Sequence, residues 1–399
     1  MDPNRNPCAP GAGSQPPELA GRDFELETAR VALARTRGGR FAKSMIAVGL
    51  RGVGKTVLLR RIADIARETG YRVVFIEAPE GKRLPDLLVP KLRQVLLDLD
   101  RLGAVSAAVK RALRVFKSFT SAVKLSYDGV DLGLSIAPET GVADTGQLEI
   151  DLPDLLTAVG SAAKSRDVPI AILIDEMQYL TEPELGALIM SVHQVVQEAL
   201  PIVLFGAGLP QIVGLAADSK TYAERLFGFP AIDALSRPDA EKALVAPATN
   251  ESVTWDTAAV EAVIDVTRAY PYFLQTWGYQ AWNVAADNII TNADVDAATV
   301  NALRDLDQNF FRARFDRLTP GEKRYMRAMA DLGPGPHRSG DIAARLGVKV
   351  FSAGRRRQDL IGKGMIYSPH YGDTAFTVPL FDEFLRRTMP TFDRDATTD

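Results

Sequence analysis

Gly49-Leu50-Arg51-Gly52-Val53-Gly54-Lys55-Thr56 fits the pattern G-x-x-x-x-G-K-[ST], a loop whose composition suits the wrapping of phosphate. Glycines let backbone N–H groups turn inward around phosphate oxygens, and the positive end of the following helix adds to the field. In such a loop the Lys55 ammonium would reach the β- and γ-phosphates of a nucleotide, and the Thr56 hydroxyl would sit on Mg2+. Gly49, Gly52, Val53, Gly54, Lys55, Thr56 and Val57 are therefore the expected nucleotide-binding residues. Asp175-Glu176 is the second group able to do chemistry, because it closes the apolar run 169–174. An acid at the carboxyl end of a parallel strand can hold Mg2+ through water, and the adjoining glutamate can polarise an attacking water as a general base. Asp175 joins Thr56 as the expected metal-side pair, and Glu176 joins Lys55 as an expected catalytic group.

These residues need a scaffold that brings strand ends together. The spacing predicts a strand over 44–48, a helix over 57–68 and a second strand over 71–77. Further strands are expected over 169–175, 202–205 and 227–232, with helices over 84–102, 104–119, 151–165 and 183–199 between them. Strands alternating with helices imply an α/β fold, a doubly wound parallel sheet of the P-loop NTPase kind. Gly49, Asp175 and Gly206 all fall at carboxyl ends of strands, where open parallel sheets bind ligands, and the acid is expected on a strand neighbouring the loop. Two alternating segments within 123–136, turning at Asp128-Gly129, look like a hairpin inserted into this order. A polar connector follows to residue 150.

Composition bounds the rest. The 399 residues carry 46% hydrophobic and 24% charged residues, ordinary for a globular chain of two or three domains. A single cysteine, Cys8, excludes an intrachain disulfide and a zinc cluster and suits a reducing, cytoplasmic setting. The three histidines have no metal-ligand spacing, and no nucleophile elbow is present. Residues 1–18 are rich in Pro, Gly and Asn and are expected as a disordered tail. The apolar region 200–217 is interrupted by Pro201, Pro210 and Gln211, so no membrane span is expected.

From Arg237 onward the sequence reads as helices over 238–246, 257–267, 271–286 and 294–315, and then changes character. Three short helices (320–331, 339–346 and 350–363) precede a hairpin over 365–378, the order of a winged helix-turn-helix. The implied organisation is a tail to 18, a P-loop core over 19–235 with the insertion and connector at 120–150, a helical lid over 236–315, a winged helix over 316–388 and a tail over 389–399. Residues 313–388 hold 14 Lys and Arg against 8 Asp and Glu, a net of +6 in a chain of net −3. Lys349, Arg355, Arg356, Arg357 and Lys363 cluster on and around the second helix of the helix-turn-helix and are the expected contacts to duplex DNA.

On these residues the chain resembles AAA+/STAND-type P-loop ATPases, above all the archaeal-type ATPases and the replication-initiator ATPases of archaea and eukaryotes. Gly21-Arg22-Asp23-Phe24-Glu25-Leu26, the P-loop, Asp175-Glu176-Met177-Gln178, Gly206-Ala207-Gly208-Leu209-Pro210, Ala223-Glu224-Arg225-Leu226-Phe227 and Tyr270-Pro271-Tyr272-Phe273-Leu274-Gln275 carry the resemblance. It implies that Gly21 and Arg22 lie near the adenine and that Tyr270 and Pro271 contact the nucleotide from the lid. Arg225 stands just before the last strand, where an arginine finger would reach a neighbouring subunit's γ-phosphate. The chain departs from the family at Gly206-Ala207-Gly208, where a polar sensor is usual, and Gln178 or Gln211 is the expected substitute. The lid lacks a plain arginine sensor, although Arg268 is close by.

The expectation is a Mg2+-dependent ATPase, binding ATP and ADP, whose nucleotide state controls a DNA-binding winged helix, in a homo-oligomer or with a protein partner. The alternative is a slow or non-hydrolysing protein-interaction scaffold that binds no DNA. A GTPase lacks support because no N-K-x-D guanine motif is present, and a helical lid with a winged helix argues against a small P-loop kinase.

Overall fold

The computed structural model describes residues 1–11, 13–102, 106–123, 136–220 and 223–391. The expected hairpin lies outside them over 124–135. The chain forms two compact units, one of Arg22–Gly49 with Lys55–Ile232, the other of Met1–Gly21, Leu50–Gly54 and Asp233–Asp399.

The first unit runs α1 (Asp23–Arg37), β1 (Ser44–Val48), α2 (Lys55–Glu68), β2 (Arg72–Glu77), α3 (Leu84–Arg101), α4 (Ala107–Ala122), α5 (Leu148–Ser165), β3 (Ile170–Asp175), α6 (Glu182–Gln197), β4 (Ile202–Gly208), α7 (Gln211–Ser219), α8 (Ala223–Leu226) and β5 (Phe227–Gly228). Its sheet is parallel throughout, in the order β2-β3-β4-β1-β5. Every residue of β1, β3 and β4 is buried. Burial on both faces requires unbroken apolar runs such as Ile170–Ile174, which is why these strands were readable. One expectation needs correction. β3 is not the neighbour of β1, because β4 lies between them and pairs with both (Ile46 opposite Gly206, Leu173 opposite Phe205). The last strand is also shorter than 227–232, but pairing resumes where the Ile232 N–H donates to the Val48 carbonyl at 2.6 Å.

The second unit runs α9 (Arg237–Asn250), β6 (Thr254–Trp255), α10 (Thr257–Thr267), α11 (Pro271–Val284), β7 (Ile289–Ile290) and α12 (Asn292–Asp305). A π-helical segment, Leu306–Phe311, leads from α12 into α13 (Arg312–Phe315). Then come α14 (Pro320–Asp331), β8 (His337–Arg338), α15 (Ser339–Leu346), α16 (Val350–Gly362), β9 (Ile366–Tyr367), β10 (Asp373–Phe376) and α17 (Phe381–Thr388). β8, β10 and β9 form an antiparallel sheet beside three helices, the order of a winged helix-turn-helix. An aromatic ladder ties the unit together. Tyr272 stacks on Phe310 at 4.5 Å, Phe310 meets Phe311 at 5.4 Å, and Phe311 meets Phe381 and Phe384 of α17 at 5.5 and 5.3 Å. Among the described residues no helix is long and apolar enough to cross a membrane.

The N-terminal residues, expected as a disordered tail, are anchored in this unit. The Met1 amino group donates to the Ala285 carbonyl (2.8 Å), the Trp282 indole to the Asp2 carbonyl (2.9 Å), and Asn6 to the Tyr279 carbonyl (3.0 Å). Cys8 is buried against Gly278, where a β-carbon would come within 2.7 Å of its sulfur. Composition misleads here because the anchor is made mostly by backbone groups and by one small residue meeting another.

Asp331 receives hydrogen bonds from both Arg327 and Arg345 in the second unit. Burial alone would raise its carboxyl, but these two guanidiniums overrule burial and hold it below the usual carboxylate range. A depressed carboxyl contributes stability that is complete above its unfolded value of about 3.9 and is lost as pH falls through the folded value. Asp331→Asn should therefore cost about 2 kcal/mol near neutral pH, as charge-assisted bonds do. Denaturant melts of wild type and variant should show that gap closing as the pH is lowered below about 4.

Candidate nucleotide site

β1 delivers the chain to the P-loop, and α2 begins at Lys55. Gly52 and Gly54 have φ of 87° and 92°, which L side chains rarely adopt, so both positions require glycine. In the first unit the Lys55 ammonium is buried and donates to the Gly49 carbonyl at 2.9 Å, while the Gly49 N–H donates to the Gly208 carbonyl at 3.2 Å. The loop's lysine is thus folded back along its own chain.

In the first turn of α2, the Thr56 hydroxyl donates to the Asp175 carboxylate at 2.7 Å. The bond joins α2 to β3 although β4 separates their strands. Burial raises the Asp175 carboxyl above its usual range, the Thr56 bond opposes that rise, and the charge of Glu176 adds to it. Hard oxygen donors, one hydroxyl and one carboxylate, suit Mg2+, which keeps several waters and takes its remaining ligands from substrate phosphates. No group of three or more His, Cys, Asp or Glu among the described residues could hold a metal ion unaided. The two donors therefore fit a metal that arrives with the nucleotide.

Glu176 has φ 55° and ψ 37°, a left-handed conformation uncommon for a residue with a side chain. Its carboxylate accepts a hydrogen bond from the Gln178 amide, whose oxygen accepts the Leu209 N–H at 3.0 Å just beyond β4. A β-carbon at Gly206 would collide with the Met177 sulfur, and one at Gly208 would come within 3.3 Å of the Gln178 oxygen. The end of β4 thus packs closely against the Met177 and Gln178 side chains. Gln178 is bonded at the end of β4, whereas Gln211 begins α7 with its side-chain oxygen buried and unbonded among the described residues.

In the second unit the loop segment Leu50–Gly54 is held by the residues that open α11. The Tyr270 hydroxyl donates to the Arg51 carbonyl, and the Tyr272 N–H donates to the Gly52 carbonyl at 3.2 Å. A β-carbon at Gly52 would lie 3.0 Å from the Tyr270 ring. Burial pushes the Tyr270 phenol well above its ordinary value, so it stays a donor at any physiological pH. Pro271 starts the helix, where its missing N–H costs nothing. Arg51 also donates to the Gly364 carbonyl at 3.4 Å, next to β9. Sequence reasoning missed Arg314, whose guanidinium lies over the Phe310 ring at 3.9 Å and is pulled down to about 10 by burial and then by Arg51. No sequence pattern marks it, because its setting is created by the π-helical segment.

The other expected residues are scattered. Gly21 has φ 66° and abuts Asp239, and Arg22 is buried at the start of α1. Arg225 is exposed on α8 and makes no ion pair among the described residues. Arg357 bonds Thr374 (2.9 Å), Ser368 (2.9 Å) and the Asp373 carbonyl, and Lys363 bonds Glu322 at 2.7 Å. Both are thus bonded within this unit. Arg356 lies against Gly321, whereas Lys349 and Arg355 are exposed and unpaired among the described residues.

A parallel sheet, a phosphate loop and a strand-end acid bonded to the loop's threonine define a P-loop nucleoside triphosphatase. Residues 18–204, a little under half of the chain, match the AAA ATPase domain. Residues 308–385 match a domain of unknown function, DUF8462. The fold is similar to that of the Walker-type ATPase of Pyrococcus abyssi, with 17% identity over 92% of this chain and 96% of that one and a TM-score of 0.54. The Orc1 protein of Aeropyrum pernix, solved in complex with DNA, aligns at 16% identity over 96% of each chain with a TM-score of 0.48. Cdc6p of Pyrobaculum aerophilum aligns at 13% over 98% of each with a TM-score of 0.48. No curated protein matches the sequence.

Asp175→Asn and Thr56→Ala should each weaken the Mg2+ dependence of ATP binding by about 10- to 100-fold, as loss of a supporting metal contact does. Calorimetric titration with ATP, with and without Mg2+, measures this. Lys55→Ala should lose ATP binding under both conditions.

Proposed function

We propose that the protein is a Mg2+-dependent ATP switch whose nucleotide state governs a DNA-binding winged helix. Lys55 and the loop N–H groups of Gly52, Val53 and Gly54 hold the phosphates, Val57 borders them, and Thr56 and Asp175 hold Mg2+. The metal, when bound, neutralises phosphate charge. Glu176 takes a proton from the attacking water, and Gln178 orients the Glu176 carboxylate. Tyr270 and Pro271, with Gly21 and Arg22, complete the nucleotide's surroundings, and Arg225 serves a neighbouring copy as its finger.

The observation that carries the hydrolytic part is the Thr56–Asp175 bond with Glu176 beside it. The switch part draws support from the hydrogen bonds of the loop segment inside the second unit. Arg51 is bonded through its carbonyl to Tyr270 and through its side chain to Gly364. Phosphate that reorders this loop would disturb both bonds, and Gly364 lies between α16 and β9 of the winged helix. DNA binding draws support from Lys349 and Arg355, which are exposed and unpaired among the described residues.

One observation favours a second function, a slow nucleotide-dependent scaffold. Gln178 occupies the place of a free sensor and is already bonded to Glu176 and Leu209.

Glu176→Gln should keep ATP binding and lower turnover by about 10^2- to 10^4-fold, the usual worth of a general base. Duplex binding by the full chain should differ between ATP and ADP over a salt series. Turnover as slow in wild type as in Glu176→Gln would favour the scaffold, and equal duplex binding in both nucleotides would sink the switch.

A further inference from the structure

α16 carries a stripe of side chains that nothing else among the described residues bonds. α16 buries Ala353 and Leu360 on one face. At 100° per residue, Phe351, Arg355 and Gln358 fall together on the opposite face at spacings of four and three. All three are exposed, and Phe351 is 94% exposed. None has a hydrogen bond, ion pair or ring contact among the described residues. An almost naked phenylalanine on a structured helix is costly to leave in water and calls for an occupant.

We infer that this stripe reads base edges in the major groove of duplex DNA. The inference rests on the DNA-binding function proposed above and specifies its residues. The three side-chain types match three different base edges. Phenylalanine contacts the thymine methyl group, arginine pairs bidentately with guanine O6 and N7, and glutamine pairs with adenine N6 and N7. Charge favours DNA over a protein occupant. Lys349 caps the N-terminal end of the stripe without a carboxylate partner, where a helix entering the groove approaches phosphate. The one acid beside the stripe, Asp359, lies at the C-terminal end, away from the part of a recognition helix that meets the bases. Arg357 gives the stripe a fixed bearing, because it ties α16 to Thr374 of β10 and to Ser368 of the loop before it. The cations that hold the domain together and those that face outward are therefore different residues.

The test is selection of duplexes from a random pool by the full chain, followed by binding measurements on the enriched sequence. Arg355→Ala and Gln358→Ala should each lose preference at one base pair, by about 5- to 150-fold, corresponding to 1–3 kcal/mol per bidentate contact. Replacing thymine by uracil at successive positions should weaken wild-type binding at one of them and leave Phe351→Ala indifferent there. Lys349→Ala should weaken all sequences alike and lower the salt slope by about 1. All four side chains are exposed, and thermal melts should confirm unaltered folding. Salt-dependent duplex binding with no enriched motif, or with a motif unchanged in the stripe variants and blind to uracil, would overturn this inference and leave DNA binding standing. No salt-dependent duplex binding by wild type would overturn both, and would leave the stripe as a protein-docking face.

Discussion

The hydrogen bond between the Thr56 hydroxyl and the Asp175 carboxylate is the constraint on which the nucleotide site depends. It crosses from the first turn of α2 to the end of β3, although β4 stands between β1 and β3 in the sheet. A carboxylate this buried is costly to keep charged without partners. Asp175 has the Thr56 hydroxyl on one oxygen and the Glu176 N–H, at 2.8 Å, on the other. The second bond accompanies the left-handed turn at Glu176, which redirects the chain at the carboxyl end of β3. Position, charge and backbone conformation of the two acids therefore form one problem with one local solution.

The same locality explains the end of β4. Three residues in succession, Gly206, Ala207 and Gly208, would be a weak strand anywhere that side chains carried the packing. Here they make room for what β3 sends across, the Met177 sulfur and the Gln178 amide. The missing polar group at β4 and the glutamine two residues after Glu176 are two sides of one exchange. It moves the contact with Glu176 from the strand's own side chain to a neighbour's.

How much of this was legible follows from the range of the forces involved. The P-loop, the buried strands and helices such as α10, α14 and α15 could be read because glycine requirements, apolar runs and helical periodicity are local. Strand order is not local: nothing between residues 49 and 175 says that β4 will insert, since that depends on crossover packing of helices far apart in sequence. The tail at residues 1–18 illustrates the opposite failure, because a Pro-rich composition says nothing about backbone groups that find partners near residue 280. The cluster at 355–357 shows a third limit. Three consecutive arginines are equivalent in sequence, but 100° steps around a helix send one toward Gly321, one toward the wing and one to solvent.

That last point changes what the charge of residues 313–388 means. A net of +6 invites a basic face, yet Arg327, Arg345, Lys363, Arg386 and Arg387 all bond to carboxylates. Two of those pairs lie within α14 and α17, and the other three join α15 and the end of α16 to α14 and α17 to the π-helical segment; the long-range field of such pairs is largely cancelled at the distance of a ligand. What remains for a polyanion is a short row at one end of α16, not a broad surface. Binding through so few cations would be weak and salt-sensitive unless base contacts or a second copy added to it. A switch of modest strength in the loop around Arg51 could then decide whether the row engages, because little binding energy has to be overcome.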